Sequence, residues 1–181
     1  FAKNGITEST YKKWLRRYKK DAPLFVESVW DGNDDDCSNG ISYRKMFLDE
    51  KNRVAVNAEL SSSSEKFKLQ YVLTMISNLA NKFNCSHISI ESKGYTFHRR
   101  NVFPDRLSVG WMLYIPHTLL PELIPEAVRV VPVMDGGKQK GTIVVSTEDV
   151  FDGRNKEHIG KANDIEIKLL DLGLLPLMTE L

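Results

Sequence analysis

The sequence predicts an α+β fold: a mixed, largely antiparallel sheet around a central strand, flanked by about three helices. Residues 107–116 are mostly apolar or aromatic and end at Pro116, which is typical of a strand buried on both faces. Three segments show helical periodicity, and two pairs of alternating segments have the pattern of hairpins. With 181 residues, we expect a single domain covering residues 1–181.

The first predicted helix covers residues 6–20, because Tyr11, Trp14, Leu15 and Tyr18 recur at helical spacing after Thr7, a suitable N-cap. The opposite face of this helix carries six cations. The following stretch, residues 21–36, has the opposite charge: it contains six acidic residues and no Lys or Arg. The cationic face suits either nucleic-acid phosphates or simple solvation at a helix C-terminus.

The second helix is predicted after a capping box, Ser62-x-x-Glu65, and carries an apolar stripe that runs to Phe83. The third is predicted over residues 155–172 and ends at Gly173. Glu166 falls inside its apolar arc, and a carboxylate there needs a partner. We expect a hydrogen bond to the backbone or to an arginine such as Arg106; a catalytic role is the alternative.

The strands follow from alternation. We expect a strand at 24–30, a half-buried hairpin of 41–48 with 54–60, a short strand at 87–91, and a hairpin of 128–134 with 142–146. Gly110, inside the central strand, predicts a bulge or a close approach of another backbone segment.

An acidic loop follows the first predicted strand. Residues 31–36 hold four carboxylates, those of Asp31, Asp34, Asp35 and Asp36. A calcium loop would need a glutamate near its twelfth position, where Ser42 stands, so a metal is not expected. The two remaining interpretations are a solvated turn and a protein-binding loop that imitates nucleic-acid phosphate toward a basic partner.

No catalytic set can be assembled with comparable support. The four histidines are isolated from one another, and zinc, nucleotide and nucleophile-elbow motifs are absent from the sequence. The nearest match is Glu91-Ser92-Lys93, an E-x-K fragment of the kind found in nucleases, with Asp49 or Glu59 as a distant third group. We therefore expect a protein that is not an enzyme, with no catalytic residue, metal or cofactor.

Net charge and cysteine usage restrict the setting. A formal charge of +1 selects neither nucleic acid nor membrane as a partner, and no apolar run reaches the ~20 residues of a membrane span. Two cysteines, Cys37 and Cys85, suit a reducing compartment, with a single bridge between them as the alternative. We expect a cytoplasmic protein.

Four segments, in this order, carry a family resemblance. They are Trp30-Asp31-Gly32 after its strand, the Gly110-Trp111 strand, residues 131–134 with 141–145, and the terminal helix with Asn155, His158 and Ala162-Asn163. Over residues 10–176 or so, the chain resembles the immunity protein 52 family of bacterial polymorphic toxin systems. Members often have Asn where this chain has Asp31.

The resemblance implies a non-enzymatic α+β protein that binds and neutralises a toxin. The toxin would be a restriction-endonuclease-like nuclease, often delivered by a type VI secretion system. Combined with the acidic loop, this predicts a partner-binding site formed by Asp31, Asp34, Asp35 and Asp36, with Trp30 supporting the loop. The alternatives are a metal-dependent nuclease or hydrolase using Glu91 and Lys93, and a nucleic-acid-binding module using the basic first helix.

Overall fold

The computed structural model describes residues 6–21, 24–33, 38–46, 54–61, 66–92 and 94–181. The chain divides into two compact units, residues 1–63 (unit 1) and 64–181 (unit 2). The prediction of a single domain stays a prediction. Cys85 is a free thiol, and Cys37 lies outside the described residues.

Unit 1 consists of one helix and a three-stranded antiparallel meander. Helix α1, Glu8–Lys20, starts where Thr7 Oγ1 accepts a hydrogen bond from Thr10 N at 3.3 Å, so the predicted cap is confirmed. Strands β1 (Leu24–Trp30), β2 (Gly40–Met46) and β3 (Val54–Glu59) pair in the order β1-β2-β3. The helix packs on β1 through Tyr18 and Phe25, whose ring centroids are 5.3 Å apart.

The prediction of a half-buried hairpin is wrong for β3, whose six residues are all exposed. Val54 and Val56 are 50% and 62% exposed, although they lie on the face of the sheet that carries the helix. The reason is geometric: α1 packs on β1, and β3 lies at the opposite edge of the sheet. Alternation therefore identified the strand correctly and its burial incorrectly.

Unit 2 places a four-stranded antiparallel sheet between two helices. Its strands are β4 (Ile88–Ile90), β5 (Met112–Ile115), β6 (Arg129–Asp135) and β7 (Lys138–Val145), in the order β4-β5-β7-β6. Its helices are α2 (Leu69–Lys82) and α3 (Lys156–Asp171), and a 3-10 turn covers Pro121–Leu123.

Strand β5 is the predicted central strand, and it is buried on both faces. Met112 and Tyr114 pack in one core cluster with Val72 and Ile76 of α2, whereas Leu113 and Ile115 pack in a second cluster with Ile165 and Leu169 of α3. Each face of the strand is thus covered by a different helix. Because both faces are covered, β5 is apolar at every position and does not alternate between apolar and polar residues.

Gly110 lies where the backbone approaches another segment, as predicted. Its φ angle is +55°, and a Cβ there would lie 2.7 Å from Glu91 Cβ and 3.0 Å from Ile90 O. The next residue, Trp111, donates its backbone N–H to that same Ile90 carbonyl at 2.8 Å. Only glycine fits this position without displacing neighbours.

Strand β6 is an edge of the unit 2 sheet and is interrupted in two ways. Pro132 lies within the strand, and the register with β7 shifts between Val133 and Met134. The β6–β7 turn is made by Gly136 and Gly137, at φ +55° and +83°, which matches a tight hairpin turn with two left-handed residues.

The α+β class and the three helices are confirmed, and the strand pairs in both units are antiparallel. Two details differ from the prediction. The strands form two sheets instead of one, because β1–β3 pair only among themselves in the described part of the chain. Helix α2 begins at Leu69 with no side-chain cap, and Ser62 and Glu65 of the expected capping box lie outside the described residues. Within the described ranges, none of the helices has the length and apolarity needed to cross a membrane.

Candidate functional site

The predicted partner site begins where β1 ends. Trp30 is the last residue of the strand, opposite Gly40 in the register, and its side chain is 67% exposed. Beyond it, Asp31 N donates to Asn39 O at 3.0 Å, which closes the base of the loop between β1 and β2. A large indole therefore stands in solvent on a fixed backbone, next to the first carboxylate of the acidic loop.

The Asp31 carboxylate is held by amide donors from both ends of the loop. Oδ1 accepts from Asn33 N at 3.1 Å, and Oδ2 accepts from Asn33 Nδ2 at 2.9 Å and Asn39 Nδ2 at 2.7 Å. The hydrogen bond from the Asn39 side chain, followed by that from Asn33 N, lowers the pKa of Asp31 to about 2. Near neutral pH any aspartate is ionised, so what these three hydrogen bonds add is a fixed position for the charge.

Asn39 joins the three strands of unit 1 at this end of the sheet. Besides contacting Asp31, its Oδ1 accepts a hydrogen bond from Ser61 N at 2.8 Å, just after β3 ends. Sequence reasoning missed this residue. The D-G-N pattern of 31–33 signals the local turn, but the contacts of Asn39 span eight and 22 positions and have no local pattern.

Of the five predicted partner-binding residues, the structure describes Trp30 and Asp31; Asp34, Asp35 and Asp36 lie outside the described residues. The Trp30 side of β1 adds a third feature. Leu24 and Val26 alternate with the residues that face α1, so they share a face with Trp30, and both are exposed. These two side chains continue the exposed apolar face of β1 away from the loop, and exposed apolar surface of this kind marks interaction sites where it is contiguous.

Glu166 is fully buried and accepts three hydrogen bonds, which argues for a structural role. Oε1 accepts from Val109 N at 3.0 Å and Tyr95 Oη at 2.9 Å, and Oε2 accepts from Val102 N at 2.8 Å. With its amide nitrogen turned toward Tyr95, Asn163 donates to the tyrosine oxygen at 2.9 Å. The expected backbone partners are thus confirmed.

Arg106, the other partner suggested for Glu166, bonds elsewhere: its Nη1 donates to Leu175 O at 2.7 Å. Tyr95 supplies the third bond to the carboxylate instead, and no periodicity in the sequence connects these two residues. The carboxylate ties α3 to the segment that leads into the central strand. Its side chain is fully buried, and the three hydrogen bonds that it accepts are structural contacts with the chain itself.

Glu91, the start of the E-x-K fragment, hydrogen-bonds its own surroundings. It accepts from Thr96 Oγ1 and from the Ser108 side chain, while burial raises the pKa of its carboxyl. Lys93 and Asp49 lie outside the described residues, and Glu59 belongs to unit 1. Among the residues that the structure describes, no group of three His, Cys, Asp or Glu side chains could hold a metal ion.

The cationic face of α1 is exposed, and part of it is paired locally. Arg17 contacts Asp21 at 3.3 Å and also Glu27, and Lys12 contacts Glu8 at 2.7 Å. Exposed pairs of this kind contribute little to stability. The aromatic residues of the helix lie on its other side, among the residues that line a groove against the sheet.

Comparisons with known proteins add no identification: no family model matches the chain, and no curated protein matches it significantly. The resemblance to the immunity protein 52 family therefore stays a prediction.

Proposed function

We propose that this protein is an immunity protein, which binds a bacterial nuclease toxin stoichiometrically and neutralises it. The observation that carries the proposal is the junction of Trp30 and Asp31, where an exposed indole adjoins a carboxylate that three amide hydrogen bonds hold in place. The family resemblance of the sequence supports the same conclusion.

A nuclease is the partner that this charge suits best. A DNA-binding groove is lined with cations that attract phosphate, and a cluster of carboxylates attracts the same cations. Asp31 is ionised and positioned before any partner arrives, so less of the binding free energy is lost in ordering it. Trp30 would supply a central apolar anchor, since tryptophan is enriched among the residues that dominate binding energy.

The first experiment is rescue by co-expression. A candidate nuclease toxin, sought among the genes adjacent to this one, is produced in cells with and without the protein, and the pair is then co-purified. Survival together with a stable complex supports the proposal. Growth arrest despite abundant folded protein, with no complex recovered, contradicts it.

A second experiment locates the interface on the acidic loop. Replacing Asp31, Asp34, Asp35 and Asp36 together by asparagine should slow association at low salt by about tenfold or more, because charge complementarity acts mainly on the association rate. The matched control replaces four exposed acids of unit 2, Glu122, Glu126, Asp164 and Asp171, by their amides. Both variants lose four negative charges, so equal slowing in the two would mean that net charge, and not the loop, sets the rate.

Trp30→Ala tests the anchor separately. We expect faster dissociation with little change in association, by about 30-fold if Trp30 is a hot spot worth about 2 kcal/mol. Surface plasmon resonance at two salt concentrations distinguishes this from the loop variant. An unchanged dissociation rate would exclude Trp30 from the interface.

A further inference from the structure

Unit 1 carries a second surface, on the face of its sheet opposite Trp30. An open apolar groove of about 600 Å³ runs between α1 and the sheet. The helix lines it with Tyr11, Trp14, Leu15 and Tyr18. The sheet contributes, among others, Ile41 and Val56.

The apolar walls of the groove are open to solvent on both sides. Tyr11 and Leu15 of α1 are exposed, and so are Ile41 of β2 and Val56 of β3. Folding normally buries side chains of this kind, and a contiguous exposed patch of them marks an interaction site. Among the described residues of unit 1, the helix packs on β1, and Ile41 and Val56 on the β2–β3 side of the groove stay exposed.

Among the described residues around the groove, cations outnumber acids, although Lys12 is paired with Glu8 and Lys45 donates a hydrogen bond to Tyr18 Oη. Lys12 and Lys19 lie one turn before and one turn after Leu15 on the helix surface, and Lys45 Nζ lies 5.3 Å from the centroid of the Tyr18 ring. Glu27 is the carboxylate among the described lining residues, and it is paired with Arg17. Helix α1 as a whole has six cations and one acid, Glu8. A bound segment with acidic side chains beside its apolar residues would therefore complement the charge at the edges of the groove.

The shape of the groove favours a helix. From Tyr11 to Tyr18 the wall is seven residues long, about 10 Å or two turns. An amphipathic helix places apolar residues at i, i+4 and i+7 over the same length.

We propose that this groove binds an acidic amphipathic helix of a partner protein. Its apolar stripe enters between Leu15 and Val56, and its flanking Asp and Glu side chains meet Lys19 and also Lys12, whose exposed pair with Glu8 contributes little and can be exchanged. This inference does not rest on the proposed function, because the groove and the Trp30–Asp31 junction lie on opposite faces of the sheet and attract opposite charges.

The test uses the full chain and a fluorescein-labelled synthetic peptide of about 15 residues, with leucines at i, i+4 and i+7 between glutamates. A second peptide keeps the leucines and replaces every glutamate by lysine. By fluorescence anisotropy, the acidic peptide should bind at least about tenfold more tightly, and the difference should shrink as salt is raised. Equal binding of the two peptides, or no binding of the acidic one, overturns the proposal.

Two neighbouring substitutions separate the groove from general attraction to a basic surface. Val56→Glu places a charge in the groove, whereas Asn57→Glu places the same charge on the opposite face of the same exposed strand. We expect at least about tenfold weaker binding of the acidic peptide for the first and no change for the second. If both variants keep the circular dichroism spectrum of the parent and weaken peptide binding equally, the assignment of the binding site to the groove is wrong. Binding to vesicles of mixed phosphatidylglycerol and phosphatidylcholine, without peptide binding, assigns the surface to a membrane and also overturns it.

Discussion

Replacing Glu166 by glutamine removes the charge from the core of unit 2 while keeping the size of the side chain. The carboxylate is 0% exposed, and its two oxygens accept hydrogen bonds from Val109 N, Tyr95 Oη and Val102 N. An amide has one acceptor oxygen. If that oxygen takes the place of Oε1, the new NH₂ group faces the Val102 N–H, and a buried backbone donor loses its acceptor.

The cost can be worked from these contacts. A buried donor left without an acceptor costs about 1–3 kcal/mol, and the two surviving hydrogen bonds weaken because their acceptor is now neutral. Relief from burying a charge offsets part of this loss. We expect Glu166→Gln to reduce the free energy of unfolding by about 2 kcal/mol at neutral pH, which lowers Tm by about 4–8 °C in a chain of this size.

The pH dependence provides a sharper test than the magnitude. Burial raises the pKa of Glu166 above its ordinary 4.5, although the three donors oppose the shift. Since the folded state holds this proton more tightly, the stabilisation is complete below the unfolded pKa and is lost as pH rises through the folded pKa. The glutamine variant has no group that titrates at this position. The free energy of unfolding of the parent should therefore exceed that of the variant by the largest amount below pH 4.5, and this excess should decrease as pH rises above 4.5.

Urea unfolding at a series of pH values measures both quantities, followed by tryptophan fluorescence in a Trp14→Phe, Trp30→Phe background in which buried Trp111 is the one remaining tryptophan. Glu126→Gln, at an exposed position of the same unit, is the control and should leave the curve unchanged. If Glu166→Gln matched the parent in stability and in pH profile, the carboxylate would not be the tie between α3 and the central strand that its contacts indicate.

Three further predictions concern single positions. Gly110→Ala should lower the free energy of unfolding by about 2–4 kcal/mol, because the new Cβ would lie 2.7 Å from Glu91 Cβ at a left-handed φ of +55°. Gly160→Ala, in α3 with nothing within 4 Å of the new Cβ, should raise it by about 0.5–1 kcal/mol. Thermal unfolding should therefore show a lower Tm for the first variant and a higher Tm for the second. Thr142→Val should lower the free energy of unfolding in urea by about 2–4 kcal/mol, because the buried hydroxyl donates to His117 O at 2.7 Å and accepts from Leu119 N at 3.0 Å. An unchanged free energy of unfolding would show that other groups replace these hydrogen bonds. Asp31→Asn should reduce the loss of stability between about pH 4 and pH 2. In the parent the folded pKa of about 2 lies below the ordinary 3.8, so the stabilisation present above pH 3.8 is lost as pH falls toward 2. An acid titration followed by circular dichroism measures this loss, and the same loss in parent and variant would contradict the contacts of the carboxylate.

Local patterns predicted what local physics determines. The first helix begins at the Thr7 cap and the last ends before Gly173, because caps and glycine stops are encoded within a few residues of the boundary. The close approach at Gly110 followed from the absence of a side chain in an otherwise packed strand. The buried Glu166 was identified as needing a partner from its place in an apolar arc.

What the sequence could not show was which distant segments meet. Alternation identifies a strand but not its partner, so the separation into two sheets was not predicted. For the same reason, Val56 was expected to be half-buried, since its pattern does not reveal that α1 stops short of β3. In the candidate site, Asn39 escaped notice because its contacts with Asp31 and Ser61 bridge distant positions.

The two sheets differ in how their outer strands are protected. In unit 2, Pro132 and the register shift beside it remove backbone donors and bend β6, so a strand from another molecule would find a poor template there. Strand β3, at an edge of the unit 1 sheet, has the sequence Val-Ala-Val-Asn-Ala-Glu, which contains neither proline nor lysine. Edge-to-edge pairing at high concentration should therefore be easier along β3 than along β6, and a lysine or proline placed in β3 should reduce it.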